Sequence, residues 1–82
     1  MPVIARFYGI DVKMYFREHG MPHFHAVYAE HSGVFDIGTL DMMEGDLPVR
    51  AQRLVREWAE RYQSDLREMW KSQQFRRLPG LE

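Results

Sequence analysis

The sequence predicts an α+β fold: an antiparallel four-stranded meander, with a possible fifth short strand, packed on one face by a C-terminal helix or two helices. Two observations predict it. Residues 1–44 hold short apolar segments that alternate at a period of two and are separated by turn residues such as Gly9. From residue 46 onward, the apolar residues recur at a period of 3.6, which is typical of a helix lying on a sheet.

The length of the chain predicts one domain. Its 82 residues suffice for a single modest core, near the size at which self-association adds needed stability. We expect the domain to span 1–82, with the β-sheet in 1–44, a helical region in 46–74 and a tail in 75–82. A homodimer is compatible with this size.

Short connections place the strands side by side. The alternating segments predict strands at residues 3–8, 12–17, 23–28 and 34–37, and a fifth, edge strand near 40–43. Because neighbouring strands joined by short connections pair antiparallel, consecutive strands are expected to be spatial neighbours.

The predicted helix begins with a turn signal. Asp46 is the expected capping side chain, and Pro48 is tolerated in the first turn, where no N–H is needed. Ser64 and Asp65 could begin a second helix after a bend, and we favour a bend there. The apolar stripe expected to lie on the sheet consists of Ala51, Leu54, Val55, Trp58, Ala59, Tyr62, Leu66, Met69 and Trp70.

Composition excludes several classes of site. The chain has no cysteine, which excludes disulfides and thiolate metal sites and fits a reducing compartment. No apolar run approaches the length of a membrane span, and the first residues lack the basic region and apolar core of a signal peptide. We therefore expect a cytoplasmic protein with no membrane association.

Charge is unevenly distributed along the chain. Residues 1–47 carry three basic and seven acidic residues, whereas residues 48–82 carry eight basic and five acidic ones. Two interpretations are open: the halves complement each other, or the basic helix faces an anionic partner such as RNA, DNA or an acidic protein. Acidic residues interleaved along the helix favour the first alternative, with pairs such as Arg53 and Glu57. Binding of nucleic acid is therefore possible but not favoured.

One stretch concentrates the chemically active residues. If residues 23–28 are extended, His23 and His25 project from one face of the strand while Phe24 and Ala26 project from the other. The two imidazoles would then start about 7 Å apart at their Cα atoms, a spacing at which two nitrogens can converge on one ligand.

Three interpretations of these histidines remain open. A divalent metal would need a third protein ligand, either His19 across the turn or Asp36 from the neighbouring strand. Alternatively, His23 and His25 are half-buried strand residues that hydrogen-bond to backbone or to a carboxylate. The third interpretation is a catalytic or ligand-binding histidine pair without a metal.

Helix residues complete the candidate site. Arg50 or Arg53 would stabilise a phosphate if the histidines performed acid–base catalysis on RNA. We also expect the imidazoles to pack toward helix side chains such as Glu57 or Arg53, because the mixed face of a central strand is usually partly covered. The sequence contains no motif of a known reaction class.

The chain resembles a bacterial family, domain of unknown function 4160. The segments that carry the resemblance include Arg6-Phe7-Tyr8-Gly9-Ile10, Pro22-His23-Phe24-His25-Ala26 and Leu47-Pro48-x-Arg50-Ala51-x-Arg53-Leu54. The resemblance implies a bacterial cytoplasmic protein that is often encoded beside another small protein, as in toxin–antitoxin-like pairs. It implies no particular activity.

Two functions from different classes follow. The first is a protein-binding or regulatory component of a two-gene, toxin–antitoxin-like module, whose partner is the small protein encoded nearby. The second is a small histidine-dependent enzyme, nuclease-like or metal-binding, that uses His19, His23 and His25. Convergence of these three side chains in the folded protein is the structural feature on which the second depends.

Overall fold

A five-stranded antiparallel sheet and one helix make up the protein. The computed structural model describes residues 3–17 and 19–81; residues 1, 2, 18 and 82, which belong to the predicted sheet region and tail, lie outside the described residues. The strands are β1 (Val3–Phe7), β2 (Ile10–Lys13), β3 (His23–Tyr28), β4 (His31–Asp36) and β5 (Met42–Gly45), followed by α1 (Val49–Ser72). Their order in the sheet is β1-β2-β3-β4-β5, which confirms the α+β meander and its fifth strand.

The first hairpin turn is tighter than predicted. Phe7 pairs with Ile10, so only Tyr8 and Gly9 connect β1 to β2, with φ angles of 49° and 79°. Two consecutive residues at positive φ form a turn whose twist matches that of the strands. As a result β2 begins at Ile10 and ends at Lys13, and the predicted bounds of 12–17 are wrong.

The second hairpin is equally short. Tyr28 pairs with His31, and Ala29, the first of the two turn residues, has a φ of 53°. The predicted start of β4 at residue 34 is therefore wrong. Because the turn occupies only two residues, His31 and Ser32 belong to the strand.

The core lies between α1 and one face of the sheet. Val12, Phe24, Ala26 and Phe35 point toward the helix and are fully buried. Trp58 is the largest buried side chain. The other apolar residues of α1 expected on the sheet side are buried or partly buried against the same core: Ala51, Leu54, Val55, Ala59, Tyr62, Leu66, Met69 and Trp70.

The tail follows the outer edge of β1. The Leu78 N–H donates to the carbonyl of Ile4 at 2.7 Å, and Gly80 lies close to the carbonyl of Arg6. Leu78 and Leu81 are buried, and the carbonyl of Pro79 accepts a hydrogen bond from the core. The segment 78–81 thus protects an edge that would otherwise be open to strand pairing.

The helix is continuous but bent. Its bend is at Tyr62, whose φ of −117° and ψ of 19° are not helical; this confirms the bend predicted near Ser64 and Asp65 and places it slightly earlier in the helix. The next side chain, Gln63, donates to the carbonyl of Ile37 at 2.6 Å and ties the bend to the end of β4. The ion pair predicted within the helix between Arg53 and Glu57 does not form, although both residues are described.

Asp46 binds β4 instead of capping the helix. Pro48 precedes α1 with no side-chain cap, whereas the Asp46 carboxylate accepts a hydrogen bond from the Ser32 N–H at 2.9 Å. His31 Nδ1 lies 3.1 Å from the other carboxylate oxygen. The predicted cap is wrong because the Asp46 N–H also donates to Ser32, which turns the residue toward the sheet.

This contact makes stability depend on pH. The Ser32 N–H, and after it the His31 ring, hold the pKa of the Asp46 carboxyl below its ordinary value of 3.8. A carboxyl with a lowered folded-state pKa stabilises the protein above its unfolded-state pKa and loses that effect as pH falls through the folded value. The thermal midpoint of the wild type should therefore exceed that of Asp46→Asn at about pH 6 and converge with it below pH 3.8. A difference in thermal midpoint that stays constant over this pH range would contradict a stabilising contact of the ionised Asp46 carboxylate.

Within residues 3–17 and 19–81, no helix combines the length and the apolar run that a membrane crossing requires.

Candidate functional site

The candidate site lies on the sheet face turned away from the core. Along β3, His23, His25 and Val27 are half-buried and alternate with the buried Phe24 and Ala26, as predicted for an extended strand. Residues directly opposite one another in the register share this face. We call it the open face and define it by Lys13, His23, His25, Val27, Val34 and Glu44.

Ring contacts hold the two histidines in place. The His23 and His25 ring centroids are 5.3 Å apart, with the planes at 72°. On its other side, His25 meets the ring of Tyr15 edge-on at 4.6 Å, and His23 lies 4.9 Å from the ring of Trp70. Each imidazole therefore packs against two neighbouring rings.

One hydrogen bond defines the tautomer of the neutral His23 ring. Its Nδ1 lies 2.7 Å from the carbonyl oxygen of Met21. Because a carbonyl oxygen can only accept, Nδ1 carries the proton in this contact, and in the neutral ring Nε2 keeps the lone pair. The strand start therefore fixes both the position of the ring and its tautomer.

A groove of about 370 Å³ brings the three predicted histidines together. Met21 and Met43 stand at its rim, with 55% and 45% of their surfaces exposed. The sequence prediction did not include either methionine in the site. The sequence feature that could have indicated Met43 is the adjacent pair Met42-Met43 in the predicted edge strand. The full lining, which we call the histidine groove, is His19, Met21, His23, His25, Val34, Met43 and Glu44.

The described residues do not supply a set of metal ligands. Across 3–17 and 19–81, no group of three or more histidine, aspartate or glutamate side chains is placed to hold a metal ion. Asp36, the carboxylate expected from the neighbouring strand, is paired in register with His23. Its Oδ1, however, accepts the N–H groups of Gly38 and Thr39 at 2.6 and 3.2 Å and closes the turn after β4.

The helix residues of the predicted site lie elsewhere. Arg50 and Glu57 line a second groove, of about 280 Å³, together with Tyr8, and Arg53 is exposed on the helix. The helix side chain whose ring lies against His23 is that of Trp70. The physical reason is that most of α1 crosses the core face of the sheet, whereas the imidazoles project from the open face and are met by the helix near its C-terminal end, at Trp70.

Comparison with known proteins gives one family. No curated protein and no solved structure matches the chain. A family model described as "Domain of unknown function (DUF4160)" matches residues 9–71. The match runs from the first hairpin almost to the end of α1 and includes the whole histidine groove. The chain therefore belongs to the DUF4160 family.

Proposed function

We propose that the chain is a protein-binding, regulatory component of a two-gene, toxin–antitoxin-like module in the cytoplasm. Its partner is the small protein encoded nearby, and the contact surface is the open face with its histidine groove. The observation that carries the proposal is the exposed pair Met21 and Met43 beside the packed histidines.

The composition of this face favours a protein partner. The residues on a sheet face turned to water are usually polar. Here, however, Val27 and Val34 lie among the histidines. Met21 and Met43 add flexible, polarizable apolar surface at the rim, a property that suits binding to another protein. The face is therefore apolar enough to be stabilised by a covering chain.

Pre-packed rings would reduce the cost of binding. Association loses side-chain freedom, at about 0.5–1.5 kcal/mol per immobilised side chain. Tyr15, His25, His23 and Trp70 already form a continuous series of ring contacts. A partner that docks on them orders fewer side chains than one that binds an unpacked surface.

The enzymatic alternative has less support. Cleavage of RNA by an imidazole pair also requires a cation positioned on the phosphate. Arg50, proposed for that role, lines the other groove, and the basic residue paired in register with His25 is Lys13. The groove thus lacks the arginine that the nuclease hypothesis assigned to it.

Binding to the neighbouring gene product tests the proposal. Val34 lies on the open face and lines the histidine groove, so Val34→Arg should weaken the complex at least about tenfold, as is typical of a central interface position. Val49→Arg, at an exposed position at the start of α1, is the matched control and should leave the affinity unchanged. Isothermal titration with the co-expressed small protein measures both. Equal affinities for the two variants, each with an unchanged thermal midpoint, would overturn the proposal.

A further inference from the structure

The two edges of the sheet differ. The outer edge of β1 is occupied by the tail, through the hydrogen bond from Leu78 to Ile4. β5 pairs with β4 on one side, and no strand in 3–17 or 19–81 pairs with its other side. The protein thus protects one edge and leaves β5 accessible.

The free side of β5 presents main-chain groups. The Asp46 N–H donates to Ser32, and Glu44 is paired with Val34 in the same register. Met43 is the extra residue between the pairs Val34–Glu44 and Phe35–Met42, so the alternation of main-chain groups holds only on either side of it. The Asp36 N–H donates to the Asp41 carbonyl, so the main-chain groups of Met42 and of Gly45 point away from β4. An extended segment placed there would find donors and acceptors at both ends of β5.

The histidine groove adjoins this edge. Met43 and Glu44 belong both to β5 and to the lining of the groove. In a strand added beside β5, every second side chain would stand over the open face, next to these two residues. Main-chain bonds would then supply affinity, and the groove would supply selectivity for the side chains.

Charge indicates the composition of the added strand. The segment 41–46 contains Asp41, Glu44 and Asp46 and no basic residue. Asp41 and Asp46 have cationic or histidine neighbours, whereas Glu44 forms no ion pair with any residue in the described ranges. A second copy paired through β5 would bring two acidic segments together, and like charges across a strand pair are destabilising. A basic segment is complementary.

We infer that the partner adds an extended, basic segment as a sixth strand along β5. Its main chain bonds to Met42 and Gly45, its lysine or arginine faces Glu44, and its apolar side chains contact Met43 at the histidine groove. The inference rests on the proposed function and names the kind of segment that the open face receives.

Two synthetic peptides test the inference on the intact protein. In one, lysine and valine take turns at every second position, with threonine between them, so that both face the same side of the added strand; in the other, glutamate replaces lysine. Titration followed by amide NMR should show shifts at Met42 and Gly45 with the lysine peptide, and an affinity at least about tenfold above that of the glutamate peptide. Glu44→Lys should reverse this preference. Glu60→Lys, which changes an exposed glutamate of α1, is the matched control and should leave it unchanged.

Three outcomes would overturn strand addition. The first is an absence of amide shifts at β5 with either peptide, and the second is equal affinity for both peptides. The third is protection of the β5 amides from exchange that rises with the concentration of the protein alone, because this would identify a second copy as the occupant. If the neighbouring protein still binds and Val34→Arg still weakens it, the proposed function survives these outcomes. Failure of the neighbouring protein to bind would overturn the proposed function itself.

Discussion

Replacing Trp58 with alanine should lower the free energy of unfolding by about 3–5 kcal/mol, because it removes the largest buried side chain of the core. The indole ring packs against Phe7, Phe24 and Tyr62 at centroid distances of 5.6, 6.1 and 5.6 Å. Its Nε1 also donates to the Pro79 carbonyl at 2.8 Å. Total stabilities of small domains are about 5–15 kcal/mol, so this one substitution should remove a large part of the stability. Urea unfolding followed by circular dichroism measures the loss.

Two variants show whether the loss arises from the core. Trp58→Phe keeps an aromatic ring but leaves the Pro79 carbonyl without its donor, so we expect a smaller loss, of about 1–3 kcal/mol. Trp70→Ala removes a partly exposed tryptophan near the end of α1 and should cost less than Trp58→Ala. Equal losses for Trp58→Ala and Trp70→Ala would contradict the assignment of Trp58 to the centre of the core.

Replacing Gly45 with alanine should be nearly as damaging, with an expected loss of the order of 3 kcal/mol from backbone strain and overpacking together. Gly45 has a φ of 127°, which L residues rarely adopt. An added Cβ would overlap the carbonyl oxygen of Ser32 and lie 2.5 Å from Gly33 Cα. Because both contacts are to backbone, β5 would have to move away from β4.

Gly20→Ala is the matched control for this substitution. Gly20 also has a positive φ, of 94°, but an added Cβ would meet nothing within 4 Å. The control therefore carries backbone strain without the overlap, and it should be the less destabilised of the two variants in the same urea experiment. Amide exchange should rise in β5 of Gly45→Ala alone. Equal losses of unfolding free energy in the two variants, with the β5 amides still protected from exchange, would show that the close packing of β5 on β4 does not contribute to the effect of Gly45→Ala.

The architecture was largely predictable because it follows from local periodicity. Alternation along residues 23–28 predicted that His23 and His25 lie on one face of the strand and Phe24 and Ala26 on the other, and the structure has this arrangement. The positions of the turns were harder to predict from the sequence. Tyr8 and Ala29 adopt positive φ without the Asn-Gly or Asp-Gly signature of such turns, so the strands that follow begin earlier than their patterns indicated.

The site was predictable only in part. Histidines close in sequence share a groove because one turn and one strand position them. Arg50 and Glu57 do not join them, since helical periodicity cannot tell which face of a sheet the helix will cross. Asp36 and Asp46 illustrate a second difficulty, because a short carboxylate often bonds to nearby backbone N–H groups, and both do so here.

The tail beside β1 has a consequence for biosynthesis. Ile4 is translated long before Leu78, which donates to its carbonyl. The covering segment follows all five strands and α1 in the order of synthesis, so the outer side of β1 gains its protection late. Until residues 78–81 have been made and packed, the sheet has two unprotected strand edges, those of β1 and β5, at which another chain could pair.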